Sequence, residues 1–130
     1  MTMYKSAQGE IYKALRKRLL RDGIPVGETA DYPRIEIHSF TENQPQDKDG
    51  YMRTISCIVE SMSVRSYGDA VTMNEENIAR ILADGWQAIG KGFTIIGITP
   101  DQLTELTETL DTQEILYRQL QRFNILIWQN

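Results

Sequence analysis

With 130 residues, 41% of them hydrophobic and 25% charged, the chain has the size of one globular domain that buries roughly two thirds of its unfolded surface. Its formal net charge of −4 lacks the basic surplus with which dedicated nucleic-acid binders neutralise phosphates. The single cysteine, Cys57, rules out an internal disulfide, and its neighbours Ile55, Ile58 and Val59 suggest a buried thiol in a strand, which fits a reducing compartment.

The opening run MTMYKSAQGEIYKALRKRLL has no continuous apolar core, and every apolar stretch is too short to span a bilayer. Neither export by a standard signal nor insertion in a membrane is expected. No internal repeat or low-complexity tract divides the chain, so residues 1–130 read as a single domain.

Helical spacing of Tyr4, Ala7, Ile11, Leu15 and Leu19 predicts an amphipathic helix over 2–21, stopped by Gly23. Alternation of Ile35 and Ile37 with Arg34, Glu36 and His38 predicts a half-buried strand over 33–40. Residues 41–50 are polar and read as a long exposed hairpin loop. A second strand over 51–63 carries Ile55, Cys57 and Val59 on one face and Met52, Ile58 and Met62 on the other. Ala70, Met73 or Asn74, Asn77, Ile78, Ile81 and Leu82 then describe the stripe of a helix over 69–83, with Gly85 just past its end.

Residues 93–98 read as a strand. The stretch 99–110 opens like a helix at Thr99-Pro100-Asp101-Gln102, yet its threonines favour a further strand, which is the reading adopted. In the last strand, over 115–128, Ile115, Tyr117, Phe123, Ile125 and Ile127 share one face. The predicted order is α-β-β-α-β-β-β: an α+β fold with an antiparallel or mixed sheet and both helices on one face.

Motifs for chemistry are weak. Gly85 to Gly92 approaches the phosphate-loop pattern, but Gly92 stands where Ser or Thr must hold magnesium, and the loop leads from helix to strand. A glycine-rich turn that tucks Trp86 and Ile89 into the core explains it better. Asp47-Lys48-Asp49-Gly50 resembles the middle of a calcium loop, but Pro45 and Ser56 occupy its first and twelfth positions. The lone His38 with Cys57 makes no zinc cluster, and as a nucleophilic pair they lack an orienting third group. No catalytic residue, metal or cofactor is assigned.

Two surface features remain. Lys13, Lys17 and Arg21 form one stripe of the first helix, with Arg16 and Arg18 beside it. Their position complements the helix dipole, and they also offer a docking surface for an acidic patch or DNA phosphates. The acidic stretch from Asp101 to Glu114 is a candidate partner on a neighbouring subunit. On the outer face of the last strand, Leu116, Leu120, Leu126 and Trp128 mix with Arg118 and Arg122. That face is more apolar than solvation needs and is a candidate subunit interface, although a second packed layer would explain it equally.

Taken whole, the layout resembles the small tail-completion proteins of long-tailed phages and prophages, relatives in fold of tail terminators and head–tail joining proteins. The resemblance runs through the N-terminal helix, the approach "IPVGETADYP" to the Pro33-Arg-Ile-Glu-Ile37 strand, and the long loop before the strand from Tyr51 to Glu60. It continues through the 93–98 strand and the closing run from Tyr117 to Trp128.

It implies a small α/β sandwich that forms a homo-oligomeric ring, commonly of six copies, at the head-proximal end of a tail. Such a ring meets tail-tube and head-completion proteins, leaves a channel for DNA, and has no catalytic residues, cofactor or membrane. The protein is then assembled in the bacterial cytoplasm and resides in the virion. An acidic lumen lets DNA slide without sticking. The competing readings are a monomeric or dimeric bacterial protein-binding adaptor or regulator and, third, a small enzyme resting on His38 and Cys57.

Overall fold

The computed structural model describes residues 6–27, 31–43, 52–86, 88–89 and 92–129. Its elements are α1 (Gln8–Leu19), β1 (Arg34–Glu42), β2 (Met52–Ser63), α2 (Tyr67–Leu82), β3 (Ala88–Ile89), β4 (Phe93–Thr109) and β5 (Ile115–Gln129). The strands form one antiparallel sheet in the order β1-β2-β5-β4-β3. The α+β class and both helices on one face agree with the pattern read from the sequence.

Ala7, Ile11, Leu15 and Leu19 recur every four residues, so one side of α1 is buried. Ser66 caps α2, its hydroxyl accepting from the Asp69 N–H at 3.0 Å, and Asp69 adds a negative charge in the first turn. Ala70, Met73, Asn74, Asn77 and Ile81 are the buried positions of α2, while Leu82 is 44% exposed. Below the helices lie Ile35 and Ile37 of β1, Ile55, Cys57 and Val59 of β2, Phe93 and Ile95 of β4, and Phe123, Ile125 and Ile127 of β5. Each large apolar side chain so buried contributes about 1.5–3 kcal/mol.

Several boundaries differ from expectation: α1 covers Gln8–Leu19 where 2–21 was expected, and Tyr4 of that expected stripe lies outside the described residues. The strand runs 93–98 and 99–110 are one continuous strand, β4, interrupted only by register shifts at Ile95/Gly97 and Pro100/Leu103. Pro100 starts no helix because it stands at such a shift, where its missing N–H breaks no ladder. β3, two residues long, has too little pattern to be read in advance. β1 extends through Thr41 and Glu42, which pair with Ser56 and Ile55 past a bulge, so the polar loop begins later than residue 41. The rest of that loop, 44–50, with the calcium-loop candidates Asp47 and Asp49, lies outside the described residues, as do Gln87, Gly90 and Lys91 of the glycine-rich turn.

Glu42 holds a polar chain together under the apolar spacing. No side chain of α1 caps its own start, and Glu42 Oε1 instead accepts from the Ala7 N–H and the Ser6 hydroxyl, both at 3.2 Å. Its other oxygen lies 3.8 Å from Nε of Arg53, which is 0% exposed and donates to Gln129 Oε1 at 2.9 Å. One carboxylate thus ties the start of α1 to β1, β2 and β5. Replacing Glu42 with Ala removes an anion near a buried guanidinium and the acceptor of the Ala7 N–H, at an expected cost of roughly 2 kcal/mol. Urea unfolding followed by circular dichroism measures it, and Glu42→Gln, which keeps an acceptor for Ala7, recovers part of the loss.

Candidate interaction surfaces

The basic stripe divides in two. α1 ends at Leu19, so the helical register that would align Arg21 with Lys13 and Lys17 stops short of it. Arg21 turns to α2 instead: Nη1 donates to Asn77 Oδ1 at 2.9 Å, and Nη2 lies 3.5 Å from Glu76. Its side chain is 10% exposed, which withdraws it from the docking stripe. Burial lowers its pKa against the opposing pull of Glu76. Arg18 is likewise engaged, donating to the carbonyls of Arg80 and Ala83 at 2.9 and 2.8 Å and lying 3.9 Å over the Trp86 ring. It caps the C-terminal end of α2, where carbonyls lack helical partners. Lys13, Arg16 and Lys17 stay exposed, and Leu20 beside them is 45% exposed.

The acidic stretch belongs to a projecting arm. Every residue from Thr99 to Thr109 is exposed, and β4 beyond Glu105 pairs with β5 residues 115–118, of which 115 and 116 lie past the last β2 partner, Ser63. Two contacts tie the arm to the start of α2: Glu105 Oε2 accepts from the Tyr67 hydroxyl and from Gln119 Nε2, and Tyr67 meets the Tyr117 ring edge-on at 6.4 Å.

β5 alternates along most of its length. Gln119, Gln121, Phe123, Ile125, Ile127 and Gln129 are buried toward the helices, and Arg118, Leu120, Arg122, Leu126 and Trp128 face the other way, with Trp128 37% exposed. Among the described residues no second layer packs on that outer face. Leu116 does not share it as an open position: it is 1% exposed, diagonal to the equally buried Met62, and so cannot join a subunit interface directly. Ile115, expected inside, is 46% exposed because β2 ends before reaching it.

Also on the outer face sits a cluster that no sequence motif marks. Glu60 is 1% exposed, accepting from His38 Nε2 at 2.8 Å and from Arg118 Nε at 2.5 Å. The one local signal was a carboxylate in line with Ile58 and Met62; only the strand register sets it opposite Glu36 and beside Leu120. Burial by itself pushes the Glu60 carboxyl upward, but the hydrogen bonds and charges of Arg118 and His38 together hold it below the usual carboxylate range. Arg118 is correspondingly raised by Glu60. Cys57 points the opposite way, into the core, where burial pushes its thiol up to about 12. His38 and Cys57 therefore lie on opposite faces of the sheet and form no pair. Among the described residues no three His, Cys, Asp or Glu side chains gather as a metal site, and no helix is long and apolar enough to cross a membrane.

No protein-family model matches the sequence, and no curated protein does. Among solved structures the fold is similar to a chain of the virion of a native gene transfer agent particle, with TM-score 0.65 at 8% identity. The likeness covers 95% of this chain and 92% of that one.

Two outcomes test these contacts. Arg18→Ala removes two carbonyl hydrogen bonds and a ring contact at an expected cost of about 1–2 kcal/mol, with red-shifted Trp86 emission. Because Glu60 titrates lower when folded than unfolded, its contribution is complete above the ordinary glutamate pKa of about 4.3 and is lost as pH falls through the folded value. Wild type should therefore exceed Glu60→Gln in stability at neutral pH, and the gap should close on acidification, as urea midpoints read at a series of pH values will show.

Proposed function

We propose that the chain is a non-catalytic structural subunit of a phage or prophage tail, a tail-completion, terminator or head–tail joining protein that acts as a homo-oligomeric ring. The observation that carries this reading is the fold shared over nearly the whole of both chains with a component of a phage-like virion. At 8% identity it speaks for architecture, and the surfaces add the rest. An outer sheet face bearing Leu120, Leu126, Trp128, Arg118 and Arg122 has the aromatic, aliphatic and arginine mixture favoured where proteins meet. A net charge of −4 suits a channel that DNA passes without adhering. In this reading the ring meets tail-tube and head-completion proteins, is put together in the bacterial cytoplasm, and remains in the virion.

Light scattering on a size column across a wide concentration range, with negative-stain microscopy of the heaviest fraction, tests it. Rings of about six copies, or a monomer that becomes rings as concentration rises, support the proposal. A stable dimer closed by a two-fold axis sinks the ring and favours a dimeric adaptor.

A further inference from the structure

We infer that the acidic β4–β5 arm of one copy docks on the exposed basic face of α1 of another. The contact deepens the ring reading and supplies its joint. Between Gly92 and Tyr117 the sequence holds five acidic residues, Asp101, Glu105, Glu108, Asp111 and Glu114, and no basic one. Between Lys13 and Arg21 it holds five basic residues and no acidic one. Folding turns Arg18 and Arg21 onto α2, and leaves Lys13, Arg16 and Lys17 on the surface.

The two patches cannot neutralise each other within one molecule. The arm leaves the fold at the start of α2, through Tyr67, whereas α1 lies along the later turns, through the contacts at Glu76, Asn77, Arg80 and Ala83. From Tyr67 to Glu76 the helix rises about 14 Å, more than the Debye length of about 8 Å at physiological salt. Like charges crowd within each patch; Arg118 of the same molecule lies within electrostatic reach of Glu108 alone among the arm carboxylates chosen for reversal, and another molecule supplies opposite charge for the rest. Apolar surface accompanies the charge on both sides: Leu103, Leu106 and Ile115 of the arm are 43%, 45% and 46% exposed, and Leu20 beside the basic face is 45% exposed. That combination suits association, with the charges steering and setting the register and the apolar groups losing water.

The test uses two triple variants of the full chain, each confined to exposed residues. One reverses the helix (Lys13→Glu, Arg16→Glu, Lys17→Glu). The other reverses the arm (Glu108→Lys, Asp111→Lys, Glu114→Lys), sparing Glu105 and Asp101, whose carboxylates bind Tyr67, Gln119 and Asn124. Circular dichroism checks that both fold.

In sedimentation velocity the wild type should associate at low salt and weaken roughly tenfold or more as salt rises well above physiological. Each variant alone should stay monomeric, and an equimolar mixture should associate again, because each then offers the charge that the other lacks. A variant that merely misfolds cannot be rescued by mixing. Wild-type monomer throughout, variants that associate like wild type, or a mixture that remains monomeric each overturn the contact. Rescue by mixing in a two-fold dimer upholds the contact and sinks the ring, so the two ideas fail separately.

Discussion

Among the described residues two helices lie above a five-stranded sheet and cover one of its faces, and most features of this protein follow from that shortage. The apolar residues of the strands gather on the helix side, where burial drives the fold. On the opposite face the same strands carry arginines, a histidine, the carboxylates of Glu36 and Glu60, and isolated apolar groups. Glu60 shows how such a face stays ordered. It is inaccessible because His38 and Arg118 close over it, and it tolerates burial because they satisfy both of its oxygens.

The helix layer is also too short for the longest strand. β4 has 17 residues and extends over roughly 50 Å at about 3.3 Å per residue, against about 24 Å for α2. Its distal part is held by pairing with β5 and by the Tyr67–Glu105–Gln119 contacts, with almost no burial. Threonines, acidic residues, Pro100 and two register shifts keep such a strand extended while discouraging indiscriminate edge pairing. An exposed arm of one charge sign therefore reads as a deliberate projection.

Where the helices meet, charge does structural work that composition conceals. Five basic residues crowd the end of α1, yet Arg18 seals the last carbonyls of α2 and Arg21 joins Asn77 and Glu76. The middle of α2 rests on a polar layer, with Asn77 donating to Ser61 and Asn74 to Gln121. The part beyond rests on the apolar core through Ile81.

The sequence by itself determined the helices, the hairpin of β1 and β2, the inward faces of most strands and the α+β class, because periods of 3.6 and 2 are local properties of adjacent residues. It also exposed the two charged stretches and the mixed outer face of β5. Only the tertiary structure decided that 93–109 is one strand, since a proline at a bulge and a proline at a helix start look alike until a partner strand is present. Only the end of α1 decided that Arg21 leaves the stripe, and only the end of β2 decided that Leu116 is buried while Ile115 is exposed. The Glu42–Arg53 and His38–Glu60–Arg118 contacts join residues up to 58 positions apart or on different strands. Such contacts are set by strand register, which no local pattern encodes.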